Sequence, residues 1–299
     1  MRLGANEVSK VYLGANAVSK IYLGANEVWS GVAPELILQM QTTTAAETIT
    51  LPMTGAVNVD IDWGDGTTES VTTNSPSHTF ATAGTYDIKV TGSCNLFAFN
   101  ESASAPKLLH VLNGGTAFTA GSFVNGFNGC TNLETADFAG LDTSSVTSML
   151  RMFSGCSNLT TLDVSGFDTS SVTSMVSMLR GCSSLTSLDV SGFDTSSVTD
   201  MVGMLALCGN LTTDPGISAF DVTELTDATN MCISSNAMLS EAEYNTILVN
   251  WEAQAVQNNV SVHFGNAVYS GAGATARAAL VLPVLDGGPG WTITDGGPA

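Results

Sequence analysis

Apolar and polar positions alternate in short runs between residues 33 and 93. In "VNVDIDW", Val57, Val59, Ile61 and Trp63 fall on one side while Asn58, Asp60 and Asp62 fall on the other. That period of two marks a strand with one buried face. The runs "ELILQMQ", "ETITLP", "ESVTT" and "TYDIKVTG" are equally short and divided by turn residues, which predicts an all-β unit. Gly64-Asp65-Gly66 is placed to make one of its hairpins.

Farther along, the pattern becomes a strict repeat of 26 residues, marked by Cys130, Cys156, Cys182 and Cys208. Leu133, Leu159, Leu185 and Leu211 form a second column. Asp137, Asp163 and Asp189 form a third, and Asp142, Asp168 and Asp194 a fourth. Val146, Val172 and Val198 align, as do Met149, Met175 and Met201, with Met152, Met178 and Met204 beside them. A fixed period of roughly 20–50 residues predicts units that stack like on like. Within one unit "LTTLDVS" reads as a short parallel strand. Val172, Met175, Met178 and Leu179 recur at helical spacing, with Asp168, Thr169 and Ser171 ahead as caps, so each coil is expected to run strand, turn, short helix, return. The last unit has Pro215 in its strand and one extra residue, so regular stacking is expected to end there.

The ends have their own patterns. Units of ten residues begin at Leu3, Leu13 and Leu23, each joining a Gly-Ala-Asn turn to an alternating run, which predicts a β-meander of three short strands. Such strands bury too little to stand alone and need a neighbour to pack on. After residue 238 the chain reads helix, strand, helix, strand, a small cap over the end of the repeats. The chain therefore divides into residues 1–32, 33–93, 94–238 and 239–299. It is mainly β with short helices.

Composition narrows the chemistry. The 27 acidic and 8 basic residues give a net charge of −19, which disfavours nucleic acid and anionic lipid. No apolar run reaches the ~20 residues of a membrane helix. The start, "MRLGANEVSK", lacks the apolar stretch of an export signal. The column of cysteines reads as small buried hydrophobes. A disulfide between adjacent coils remains open, because neighbouring strands lie ~4.8 Å apart. The stacked aspartates are expected to accept backbone N–H bonds in their own turns. Calcium between them is the alternative, and Asp60, Asp62 and Asp65 form a second weak calcium candidate. His78, His110 and His263 have no recognised catalytic partners in sequence, and no nucleophile, metal or phosphate motif is present. The reading is of a chain without enzymatic activity or cofactor. Asn158 and Asn210 match a glycosylation sequon but read as turn residues in a column.

Three resemblances add to this. "VDIDWGDGT" followed by "SHTFATAGTYDIKVTG" resembles the PKD-type immunoglobulin-like fold, which implies a β-sandwich that spaces or contacts glycans and proteins. Units such as "LTTLDVSGFDTSSVTSMVSMLRGC" resemble the BspA-like 26-residue leucine-rich repeats of bacterial surface proteins, which implies a solenoid and often an adhesin. The decapeptide start is similar to that of many phage virion proteins. Together these imply a phage tail fibre, tail-tip or capsid-surface protein, assembled in the host cytoplasm and carried on the virion. Its N-terminal repeats would dock on other virion proteins, and its solenoid would meet a host glycan or protein. A homo-oligomer is compatible with this. A bacterial surface adhesin or lipoprotein without its leader, and a decoration protein that only cements a capsid, are the alternatives.

Overall fold

A computed structural model of the chain describes residues 12–13, 16–17, 20–23, 26–30, 35–138, 140–233 and 239–299. The described residues are mainly β, with two α-helices and a mixed sheet.

Near the start, β1 (Tyr12–Leu13) pairs antiparallel with β2 (Asn16–Ala17), and β3 (Lys20–Leu23) with β4 (Asn26–Ser30). Where the sequence predicts a meander of three short strands, the described residues show two antiparallel strand pairs. The first ten-residue unit lies outside the described residues.

Alternation governs the next region. It forms β5 (Leu36–Thr42), β6 (Glu47–Thr50), β7 (Met53–Thr54), β8 (Asn58–Asp62), β9 (Thr68–Val71), β10 (Ser77–Phe80), β11 (Gly84–Cys94) and β12 (Leu96–Phe97). Val57, Val59, Ile61 and Trp63 are all buried, whereas Asn58 and Asp60 are exposed, as the period of two requires. The β8–β9 turn closes with the Trp63 N–H donating to Thr67 O at 3.0 Å. Gly64 is left-handed there at φ 81°, and a Cβ on it would lie 2.8 Å from Asp87 O. Both facts call for glycine. Antiparallel β6–β10 and β7–β12 pairs supply Ile49, Phe80, Met53 and Phe97 to the same core.

One sheet then runs into the repeats. β13 (Leu108–Asn113) pairs antiparallel with β5 and parallel with β15 (Thr135–Asp137), which pairs in turn with β16 (Thr161–Asp163). β14 (Phe118–Ala120) lies parallel to the end of β11. The eight-stranded sheet has the order β16-β15-β13-β5-β11-β8-β9, with β14 added on β11. It crosses residue 93, where the sequence suggested a boundary. Phe97, Phe99, Phe118, Phe123 and Phe127 fill the junction, with ring centroids 5.5–6.1 Å apart.

The short helix expected in each coil does not form. Its place is taken by tight turns in which N–H donors alternate. Met149, Arg151, Phe153 and Gly155 donate to Ser174, Val176, Met178 and Arg180 of the next coil. Met152, Ser154 and Cys156 donate three residues back within their own coil. Arg151 and Gly155 are left-handed at φ 53° and 75°, as are Ser177 and Gly181 one coil on. A left-handed residue every four positions interrupts the helical run, so the helical spacing of valine and methionine only places them in the core. The expected capping role of Thr169 falls with the helix. Thr169 is buried, and its Oγ1 donates to Asp194 O in the next coil at 3.0 Å. Thr143 and Thr195 do the same.

Stacking does not end at Pro215. Gly203, Leu205 and Leu207 still donate to Thr229, Met231 and Ile233, because the extra residue is absorbed near left-handed Gly216 and the 3-10 turn Ile217–Ala219. The tail has the two expected helices, each followed by two short strands instead of one, as α1 (Glu241–Glu252), β17 (Ser261–His263), β18 (Val268–Tyr269), α2 (Gly271–Val281), β19 (Thr292–Thr294) and β20 (Gly297–Pro298). A Ser240/Glu243 capping box starts α1. Ala228 and Cys232 N–H groups donate to Ser261 and His263, so β17 takes the place of one more coil. Buried Asp295 ties the tail together by accepting from Tyr244 Oη and Arg277 Nε, both at 2.7 Å.

Two substitutions test this scheme by urea unfolding. Thr169→Val removes the bond from a buried hydroxyl to the Asp194 carbonyl and is expected to cost ~1 kcal/mol. Thr173→Val, whose exposed hydroxyl bonds Thr147 O, should cost under about 0.5 kcal/mol. Leu207 takes φ 64° in the column otherwise held by Gly129, Gly155 and Gly181, so Leu207→Gly should stabilise by up to ~1 kcal/mol.

Candidate functional site

The stacked turns set out polar side chains in rows. Cα partners Thr135–Thr161 and Asp137–Asp163 align across β15 and β16, and Ser187 and Asp189 continue the two rows one coil on. These residues line a groove of about 880 Å³. Ala136, Leu162 and Leu188 supply an apolar strip, and Leu112, 40% exposed, sits at its edge. Phe167 and Phe193, stacked with centroids 6.5 Å apart, complete the lining.

The aspartates adopt the local turns that the sequence suggested. Asp163 Oδ1 accepts from the Ser165 N–H at 3.0 Å and from Ser165 Oγ at 2.7 Å. Asp189 and Ser191 repeat this, as do Asp142 with Ser144, Asp168 with Ser170 and Asp194 with Ser196. The serine hydroxyl, then its N–H, holds Asp142, Asp168, Asp189 and Asp194 below the usual carboxylate range. Among the described residues no group of three or more His, Cys, Asp or Glu is set to hold a metal.

The weak calcium candidates are not brought to one point. Asp60 accepts from Ser70 Oγ at 2.5 Å. Asp62 accepts from the Gly64 N–H at 3.0 Å. Asp65 accepts from Thr67 Oγ1 at 2.6 Å and lies 2.8 Å from His78 Nε2. His78 also stacks on Trp63, with centroids 5.2 Å apart. His110 Nδ1 meets Thr135 Oγ1 at 2.7 Å, and His263 Nδ1 accepts the Gly265 N–H at 2.9 Å.

Cys130, Cys156, Cys182 and Cys208 are buried free thiols, as are Cys94 and Cys232. Cys156, Cys182 and Cys208 Sγ donate to Phe127, Phe153 and Leu179 carbonyls at 3.1–3.2 Å. Each thiol thereby ties its coil to the preceding one. Burial pushes the Cys130, Cys156 and Cys182 thiols well above their ordinary range, and Cys94 and Cys208 up to about 12, so they are poor nucleophiles. Leu133, Leu159, Leu185 and Leu211 are buried beside them. The reading of the sequence missed the threonine column at Thr143, Thr169 and Thr195. Its signal was present, as an Asp-Thr-Ser-Ser-Val motif at residues 142–146, 168–172 and 194–198.

Residues 121–244 match a family described as "Mycoplasma protein of unknown function, DUF285". The match covers less than half of the chain. No curated protein and no solved structure matches it.

The turn at Asp65 gives a pH test. The Thr67 hydroxyl, and after it His78, hold Asp65 at about 2. A lowered folded value stabilises above the ordinary 3.8 and loses that contribution as pH falls toward about 2. The Tm gap between wild type and Asp65→Asn should therefore be widest near neutrality and close across that window. A gap independent of pH would remove the carboxylate from the account.

Proposed function

We propose that the chain is a non-enzymatic structural protein of a phage particle. In this reading it displays a leucine-rich solenoid, joined to a PKD-type immunoglobulin-like sandwich, to the host surface. The observation that carries it is how the repeat uses its polar groups. Main-chain donors, threonine hydroxyls and thiols hold coil to coil. The aspartates close their own turns. What is left outward is a Ser/Thr/Asp surface with one broad groove, suited to contact and not to covalent chemistry. The sheet shared with the sandwich supports a rod that holds its orientation. The six cysteines are buried free thiols, three of them making Sγ–H···O bonds, so the fold needs no oxidising compartment, in keeping with assembly in a host cytoplasm. The N-terminal hairpins would dock on other virion proteins.

A second reading, a bacterial surface protein, is favoured by the mycoplasmal family that residues 121–244 match. Mass spectrometry of purified virions separates the two. The chain is expected in particles at a stoichiometric level, and its presence only in a cell-membrane fraction would overturn the phage assignment. Recombinant protein should also bind host cells and block adsorption. If virions contain it and it does neither, it is a cement protein.

A further inference from the structure

We propose that the open edge of β16, with the groove beside it, takes up an extended peptide strand of a host-surface protein. The strand is apolar at alternate positions and carries no acidic residues. The proposal deepens the attachment reading by naming its class of ligand, and rests on it.

The backbone is the first argument. β16 ends the eight-stranded sheet and pairs on one side only, with β15. The next coil does not close its other side. The Ser184 N–H still donates to Ser157 O, but the Val190 N–H donates away from β16, to Pro215 O. Between those two points the N–H groups of Ser187, Leu188 and Asp189 donate to no described backbone acceptor. Thr161–Asp163 and Ser187–Asp189 line the same groove of about 880 Å³. A row of unpaired main-chain groups at the edge of a sheet is a template for one more strand. A glycan lacks the regular N–H and C=O groups that such an edge pairs with.

Side chains select the strand. Leu162 and Leu188, both partly buried, and Leu112, 40% exposed, border the groove. Successive residues of an added strand point to opposite faces, so every second one meets this apolar strip. Charge complementarity sets the rest. The groove is lined by no lysine or arginine, in a chain of net charge −19, and an acidic strand would be repelled. A second copy of the chain is a poor occupant for the same reason, since it would bring its own −19 charge and its own Asp163 to this edge.

The test is calorimetric titration of the full chain with three nonapeptides. The first alternates lysine and valine. The second is the same peptide N-methylated at four successive central amides, which keeps side chains and charge but removes donors from both of its edges. The third alternates glutamate and valine. The first is expected to bind, and the other two at least about tenfold more weakly. Binding should also slow amide hydrogen exchange in Thr161–Asp163 about tenfold, which side-chain contact alone would not do. Leu162→Ser with Leu188→Ser should weaken binding about tenfold with an unchanged circular dichroism spectrum, while Leu285→Ser, at a fully exposed leucine outside the groove, should not. If the double variant does not fold, exchange in the wild type decides. Equal binding of the methylated peptide, preference for the acidic one, no binding at all, unchanged exchange in β16, or self-association of the chain that the first peptide abolishes would each overturn the proposal. If wild type blocks adsorption but ignores the first peptide, only this inference fails. If it binds that peptide yet neither blocks adsorption nor occurs in virions, the attachment reading fails and the peptide-binding edge stands.

Discussion

The register between neighbouring coils governs the structure. Ser148, Ser174, Asp200 and Asp227 form a chain of parallel bridges, and every other residue of the turn segment donates its N–H to the next coil. The intervening N–H groups close turns three residues back. Most donors in the segment are thus committed in two directions, with Leu150 and Val202 bonding side chains of their own turns instead, which neither a helix nor a plain strand would do. That arrangement needs a left-handed residue at two places per coil, filled at one by Asn125, Arg151, Ser177 and Gly203 and at the other by glycine until Leu207. It also fixes which side chains are buried. Cysteine, leucine and methionine columns follow from the backbone pairing, since a shift of one residue would turn them out to solvent.

Much of this was legible. Alternation placed Val57 through Trp63, and the strands around them, because a period of two survives whatever packs on the strand. The 26-residue period identified the buried cysteine, leucine, valine and methionine columns, because a stacked repeat sets the same packing problem each time. The helix was misread for an equally physical reason. Val172, Met175, Met178 and Leu179 share a buried side in successive turns as they would on a helix, so periodicity alone does not separate the two. The glycine before each cysteine at Gly129, Gly155 and Gly181 held the distinguishing signal. The stacking past Pro215 depended on Gly216 at φ 105°, and a proline in a strand pattern does not reveal how its neighbour absorbs an added residue. The shared sheet was invisible for another reason. β13 joins β5 across a long separation, and local pattern carries no information about non-local pairing. The groove was legible only as two rows of aspartates and hydroxyls. Nothing in the spacing of the sequence says that those rows border open space.

The origin of that space can be argued from geometry. Two aromatic pairs report the distance between coils at different places. Phe127 and Phe153, equivalent residues on the hydrogen-bonded turn side, stack with centroids 5.5 Å apart and planes 8° from parallel. Phe167 and Phe193, equivalent residues beside the groove, stack at 6.5 Å and 7°. The backbone agrees. β15 and β16 are paired, yet no described backbone hydrogen bond joins Thr161–Val164 to Ser187–Val190, and Val190 instead donates to Pro215 O at 2.7 Å. The coils therefore lie closer on the turn side and fan apart on the strand side. Leu162 and Leu188 are only partly buried there, as expected where a stack opens. A ladder that holds one side at hydrogen-bonding distance, and releases the other after a single strand pair, opens a furrow at the point of release. The same register that closes the core on one side produces the acidic groove on the other.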